Sequence, residues 1–334
     1  MGNLIKTVFL QRKQYTSGNY SVEFIFNDVR KRLSDKIHAS VFVSTYHSQG
    51  IFKRLYNMIE VIFNQGEVNF ITGDIHYISF FLKKNKTILT ILDSGFLYDS
   101  GRLSRWLQTL LWLKIPIRRV KYITTISPHS KSDILKHTDC NPDKIKIIPV
   151  AIRSNYRHYP KKIRNDKPIL LQIGQAKNKN LHRIIEAIKE MNVQLSIIGK
   201  IAPENKALLV KLNIDFVNRV NISDEEMLQE YINCDMLVFP SIYEGFGMPI
   251  IESQAVGRPV LTSNTTSMPW VAGGASHLVD PLSVASIKFG ILKILTDNKY
   301  SQELIKKGFE NIKRFDPNLI ANQYFEVIKL ANKR

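Results

Sequence analysis

Short apolar runs recur along this chain, separated by stretches whose apolar positions fall three and four residues apart. In the first half the runs are Lys6–Arg12, His38–Ser44, Val68–Gly73, Thr87–Asp93, Tyr122–Ser127 and Ile145–Ala151. Helical spacing lies between them, for example over Tyr20–Leu33 and Leu103–Leu113. The second half repeats the theme at Ile169–Gly174, Gln194–Gly199, Ile214–Val217, Leu237–Pro240 and Pro259–Ser263. Strands that are apolar along their whole length are buried on both faces. Alternating with helices, they predict an α/β chain with parallel sheets. Ser223-Asp-Glu-Glu226 forms a capping box for a helix reaching Asn233. Arg153–Lys167 is polar and basic and contains Pro160, which predicts a linker. Pro317–Ala331 has helical periodicity again.

Length and composition add limits. A chain of 334 residues suggests two domains, and an apolar fraction of 44% is ordinary for a globular core. Cys140 and Cys234 stand alone, without the spacing of a zinc site or a disulfide framework; buried thiols in a reducing cytosol are expected. No apolar run approaches the ~18 residues of a membrane-spanning helix. Met1–Lys6 has no signal-peptide layout, and Lys6 stands where a myristoylation pattern needs Ser or Thr. A cytoplasmic location is therefore expected. The net charge of +18 calls for an anionic partner. No nucleic-acid-binding motif accompanies it, so a nucleotide substrate or an anionic membrane surface is the better candidate.

The densest chemistry lies in Pro240-Ser-Ile-Tyr-Glu-Gly-Phe-Gly-Met-Pro-Ile-Ile-Glu252. A buried strand ends at Pro240. Gly245 and Gly247 then make a loop that lets backbone approach a ligand closely. Pro249 suits the first turn of the next helix, where its missing N–H costs nothing. A glycine loop entering a helix aims N–H groups and the positive end of the helix dipole at one point, which suits a phosphate. Glu244 and Glu252, as acceptors only, can hold the hydroxyls of a sugar or ribose. Ile173-Gly-Gln-Ala-Lys-Asn-Lys-Asn180 is a second such element, after one strand and before the helix starting near Leu181.

The Glu244–Glu252 segment resembles the signature of the family 4 glycosyltransferases, two glutamates separated by seven residues around Glu-Gly-Phe-Gly. The likeness continues through Ser253–Val260 to Leu278-Val-Asp-Pro281 and feels nearest to bacterial mannosyltransferase-like members. It implies the GT-B fold, with two Rossmann-like domains facing across a cleft. The expected boundaries are residues 1–155 for an acceptor domain, 156–316 for a nucleotide-sugar domain and 317–334 for a helix crossing back. It also implies retaining transfer of a sugar from a UDP- or GDP-linked donor to a glycan or lipid-linked saccharide. That chemistry suits lipopolysaccharide or another surface polysaccharide made at the inner face of the plasma membrane. The nucleotide-sugar is a substrate, so no cofactor is expected. Without an Asp-x-Asp pair, no obligatory metal is expected either. The alternative is a catalytically silent GT-B module that binds a sugar nucleotide or glycan and scaffolds partners.

The resemblance also assigns residues. Glu244 would hold sugar hydroxyls and Glu252 ribose hydroxyls. Gly245 and Phe246 would shape the loop, and Gly247 and Met248 would offer backbone amides. Lys179, behind Gly174, matches a lysine that touches the donor diphosphate. Val220, beside Asn218 and Arg219, would line the base site, and Gly18 would stand for a glycine loop of the first domain. His76, in Ile71-Thr-Gly-Asp-Ile-His-Tyr77, is either a structural histidine at a strand end or a catalytic group near the acceptor.

Three positions depart from the family pattern. Gln175 replaces an arginine, Leu92 replaces a histidine that contacts the donor sugar, and Trp270 replaces a glutamate. Leu92 fits a 6-deoxy donor sugar, a replacement of the lost group by His76 or His129, or weakened activity. Trp270 is expected to pack under the loop. Finally, Trp106, Leu107, Leu110 and Leu113 share one face of a helix with basic ends. That stripe suits either a membrane interface or the core.

Overall fold

The computed structural model describes residues 4–13, 21–93, 106, 108–161 and 166–333. The chain divides into two units, Met1–Ala151 with Pro317–Arg334, and Ile152–Asp316.

The first unit is built on six parallel strands: β1 (Ile5–Gln11), β2 (Ile37–Val43), β3 (Val68–Thr72), β4 (Thr87–Thr90), β5 (Tyr122–Thr125) and β6 (Ile145–Ile147). Their order is β2-β1-β3-β4-β5-β6. Neighbouring residues on a strand point to opposite faces, so Phe9, Phe70 and Ile88 pack on one side and Leu10, Ile71 and Leu89 on the other. Both faces of the inner strands are covered, which is why β3 and β4 read as unbroken apolar runs. The edge strand β2, expected to be buried, is not: Val41 and Val43 are exposed, because one side of an edge strand has no neighbour. On the Phe9 side lie the helix Ser21–Arg32 and the last helix, Pro317–Asn332. The last helix presents Ile320, Tyr324, Val327 and Ile328, spaced for one helical face, and Tyr324 meets Phe26 and Phe70 edge-on at 5.4 and 5.8 Å.

Two sequence expectations are altered here. β4 stops at Thr90, short of Asp93. The helix expected over Leu103–Leu113 falls partly outside the described residues. Its described part winds as a π-helix over Thr109–Lys114 before the short helix Ile115–Arg118. The wider π turn changes the angular spacing, so the apolar stripe is not one outward face: Leu113 is buried while Trp106 is 63% exposed. Leu107 lies outside the described residues, as does Gly18.

The second unit also has six parallel strands: β7 (Ile169–Ile173), β8 (Gln194–Ile198), β9 (Asp215–Arg219), β10 (Met236–Phe239), β11 (Val260–Ser263) and β12 (His277–Val279). Their order is β12-β11-β10-β7-β8-β9. Counted from its own first strand, this is the 3-2-1-4-5-6 order of a dinucleotide-binding fold. The short edge strand β12 carries no long apolar run and has no counterpart among the sequence expectations. The expected strand Ile214–Val217 extends to Arg219, because β8 supplies backbone partners for Asn218 and Arg219. The capping box forms: the Glu226 N–H donates to Ser223 Oγ at 3.1 Å, and the Ser223 N–H to the Glu226 carboxylate at 2.7 Å.

Candidate functional site

In an open parallel sheet, ligands bind beyond the carboxyl ends of the strands where the strand order reverses. In the second unit that point lies between β7 and β10. The segments leaving these strands are the two that the sequence singles out, 174–180 and 240–247.

The first turns at Gly174, whose φ of +89° favours glycine. A Cβ there would stand 3.0 Å from Lys179 Cε, so the missing side chain gives the lysine room to lie across the backbone. Asn180, with φ +64°, then tips the chain into the helix Leu181–Ile188. Asparagine is among the few residues that take this conformation readily. Its side-chain amide donates to the carbonyls of Pro240 and Pro281, tying the first loop to the second. Asn178 repeats the tie, donating to the Tyr243 carbonyl at 2.8 Å while its own carbonyl accepts from the Ile242 N–H at 2.8 Å.

The second loop enters the helix Met248–Val256 through Gly247, with φ +107°. No side chain caps this helix, and Pro249 brings no N–H. The Met248 amide therefore stands at the positive end of the helix dipole. Phe246 is buried against Phe315 and Trp270, with edge-on contacts at 5.7 and 6.4 Å. Trp270 packs under the loop, and Arg314 lies over its ring at 4.8 Å. Ser267 Oγ reaches the carbonyls of Glu244 and Phe246, and the Glu244 N–H donates to Thr266 Oγ1. The loop is thus held from below and from the side.

This frame brings two expected residues together. Lys179 Nζ donates to Glu244 Oε1 at 2.5 Å and lies 4.9 Å from the centre of the Phe239 ring. Both side chains keep partial exposure, 22% and 14%, so the pair is reachable from outside. Gln175, in the place of an expected arginine, does not join them. Its side chain lies over Gly199 and donates to Gln172 Oε1 at 3.3 Å. Val220 is exposed just past β9.

Glu252 sits one turn into the helix and faces inward. Tyr231 Oη donates to its Oε2 at 2.7 Å, and Arg153 Nε lies 4.0 Å from Oε1 while also pairing with Asp224 at 2.6 Å. Burial pushes the Glu252 carboxyl above its ordinary range, and the Tyr231 hydroxyl and Arg153 pull the other way. Sequence reading missed Tyr231 and Arg153. They stand 21 and 99 residues before Glu252, and nothing local marks them.

The first unit has its own opening at its reversal point, between β1 and β3. A cavity of about 640 Å³ is lined there by Arg12, Arg54, Asp74, His76, Leu92 and Trp112, among others. His76 Nδ1 makes a 2.7 Å hydrogen bond with the Trp112 carbonyl. Burial lowers its pKa, outweighing the Trp112 carbonyl, Asp74 and the Thr90 backbone. It is therefore both a packed histidine and a wall of the cavity. Leu92 packs against the Phe9 cluster and adds an apolar wall. His129 lies 3.8 Å from Asp133. Cys234 is buried, which pushes its thiol up to about 12, and Cys140 is half-buried and also raised. Neither suits a nucleophile.

Residues 157–311 match the family described as "Glycosyl transferases group 1". Over 235 residues the chain is 29% identical to the O-antigen chain mannosyltransferase B of Escherichia coli, covering 63% of this chain and 61% of that one. Over 253 residues it is 25% identical to the O-antigen chain mannosyltransferase RfbU of Salmonella typhimurium, covering 72% and 70%. These relatives bear out the resemblance to bacterial mannosyltransferase-like members of family 4. The sucrose-phosphate synthase of Thermosynechococcus elongatus superposes with a TM-score of 0.80 at 16% identity, covering 97% of this chain and 98% of that one. That likeness bears on fold alone, and the fold is GT-B.

Proposed function

We propose that this group 1 glycosyl transferase moves a sugar, with retention, from a nucleoside diphosphate sugar to a saccharide or lipid-linked saccharide of a bacterial surface polysaccharide. The observation that carries the reading is the meeting of Lys179 and Glu244 at 2.5 Å, beside the Gly247 entry to an uncapped helix. Departure of the nucleoside diphosphate puts negative charge on the phosphates and positive charge on the sugar ring. Lys179 and the Met248 amide suit the first, and the Glu244 carboxylate, by its sugar hydroxyl contacts, holds the second in place. With a cation and a helix terminus present, the step needs no metal or cofactor in this proposal. The acceptor hydroxyl gives its proton to the departing phosphate, so no side chain must act as base.

Glu252 is the candidate for the ribose hydroxyls, and the mannosyltransferase relatives favour guanosine as the base. The first unit's cavity is the candidate acceptor site, with His76 in its wall. A lipid-linked acceptor would bring the enzyme to the cytoplasmic face of an anionic membrane. Among the described residues no helix is long and apolar enough to cross one.

Calorimetric titration of GDP and UDP, followed by a turnover assay with GDP-mannose, tests the reading. Micromolar binding of one nucleotide and turnover of its sugar conjugate are expected. Binding of neither would overturn it.

A further inference from the structure

The helix Ile51–Glu60 and its continuation Val61–Phe63 carry an apolar face turned away from the protein. At 100° per residue, Ile51, Phe52, Leu55, Tyr56, Ile59 and Phe63 fall within one arc of about 140°. All are exposed, Ile51 by 79%, Phe52 by 88% and Phe63 by 83%. A surface helix normally shows the reverse, with its apolar stripe on the core.

The orientation is held by specific bonds on the inner face. Asn57 is fully buried, accepts from the Tyr46 N–H, and donates to the Tyr46 carbonyl and to Tyr77 Oη. Arg54 stacks over Trp112 at 4.6 Å and donates twice to the Ser48 carbonyl. Val61 fills the core beside Met58. Turning the helix over would break all of these and bury an arginine's neighbours among nothing that could pair them. The outward stripe is therefore a feature of the fold.

Charge says what covers it. In the first unit 25 lysines and arginines face 12 aspartates and glutamates, while the second unit has 22 against 17. Most of the net +18 sits in the unit that bears the stripe. On the helix itself Lys53 is exposed, about 60° beyond the arc. The single acid, Glu60, is turned to the protein, accepting from both the N–H and the hydroxyl of Thr45. A second copy of so basic a unit would be repelled, whereas an anionic lipid surface is attracted. Two phenylalanines, a tyrosine and three aliphatic residues above a basic body suit the headgroup boundary, where a short helix lies in the plane.

We infer that the outer face of Ile51–Phe63 is the surface by which this protein docks on an anionic lipid bilayer. This deepens the membrane part of the proposed function, and it moves the contact from the Trp106–Leu113 stripe to a different helix.

The test is cosedimentation of the full chain with phosphatidylcholine vesicles, with and without phosphatidylglycerol, for wild type and the double variant Phe52→Ser, Phe63→Ser. Both residues are exposed, so folding is retained, and nucleotide titration of the same samples verifies it. Wild type should bind the anionic vesicles more than the neutral ones. The double variant should bind at least about tenfold more weakly, since each lost phenylalanine forfeits a sizeable transfer free energy. Transfer to a water-soluble acceptor should be unchanged, which separates loss of docking from loss of catalysis. Absence of wild-type binding, or equal binding by the variant, would overturn the inference. A dimer in sedimentation velocity that the variant abolishes, without vesicle binding, would assign the face to a second copy instead.

Discussion

Lys179 and Glu244 lie 65 residues apart in the chain, and their charged ends meet at 2.5 Å across the reversal point of the second sheet. Without a ligand, the cation is neutralised by the carboxylate. A donor diphosphate arriving between the loops must compete with Glu244 for Lys179, while the sugar offers Glu244 hydroxyls in exchange.

Glu244→Gln should therefore separate binding from transfer. The variant frees Lys179 for phosphate, so affinity for a nucleoside diphosphate is kept or improved. Sugar transfer should fall by about 10²-fold or more, as for loss of a charge-stabilising contact. Lys179→Ala should lose both. Calorimetry and initial rates on the two variants read the difference; equal losses of binding in both would count against the assigned roles.

Gly247→Ala tests the loop. The position has φ +107°, and a Cβ would stand 3.1 Å from Ile250 Cδ1. The substitution should cost roughly 1–3 kcal/mol, from backbone strain and crowding, and weaken nucleotide binding as the helix terminus shifts. Thermal unfolding and calorimetry measure the two effects.

Tyr231→Phe removes a hydrogen bond from the buried Glu252 carboxylate and should destabilise by about 1–3 kcal/mol. Its pH dependence has a definite sign. Burial raises the Glu252 pKa above the ordinary 4.5, so the folded state holds the proton more firmly than the unfolded chain. Stability from this group is present below 4.5 and lost as pH rises through the folded value. Tyr231 opposes that rise, so the variant's penalty should be larger at neutral than at acid pH. Urea unfolding at both conditions checks it, and a penalty independent of pH would contradict it.

His76 acts in the other direction. Burial lowers its pKa from 6.5, so the unfolded chain takes up the proton first on acidification. Its contribution is present above 6.5 and lost as pH falls through the lowered folded value. His76→Gln should flatten the acid limb of the stability curve. If His76 also serves the acceptor, transfer should fall in the same variant; unchanged transfer would leave it a packing residue alone.

Tyr324→Ala should destabilise the first unit by about 3–5 kcal/mol, as removal of a large buried ring does. The ring sits among Phe26 and Phe70, so the last helix is part of that core. Chemical denaturation measures the loss, and a change of a few tenths would contradict the packing.

Much of this was legible along the chain because it is local chemistry. The alternation of apolar runs and helical spacing follows from burial on two faces, and eleven of the twelve strands needed no tertiary information to suspect. Glu244, Gly247, Pro249 and Lys179 stand out because turn geometry and helix entry demand particular residues at particular spacings. The failures share a cause as well. β12 is a three-residue edge strand that exists through its pairing with β11. The π turn at Thr109–Lys114 and the burial of Leu113 depend on packing that no spacing rule contains.

Residue types and their order were enough to specify two parallel α/β sheets and a phosphate-suited loop. They could not say that Glu252 turns inward to Tyr231 and Arg153, that Gln175 points away from Lys179, or that the apolar stripe of Ile51–Phe63 faces outward. Each of those depends on which distant side chain arrives at the same place. Asn57 and Arg54 illustrate why: their partners, Tyr77 and Trp112, become neighbours when the sheet assembles, and those bonds rather than hydrophobic spacing choose which face of the helix meets the core.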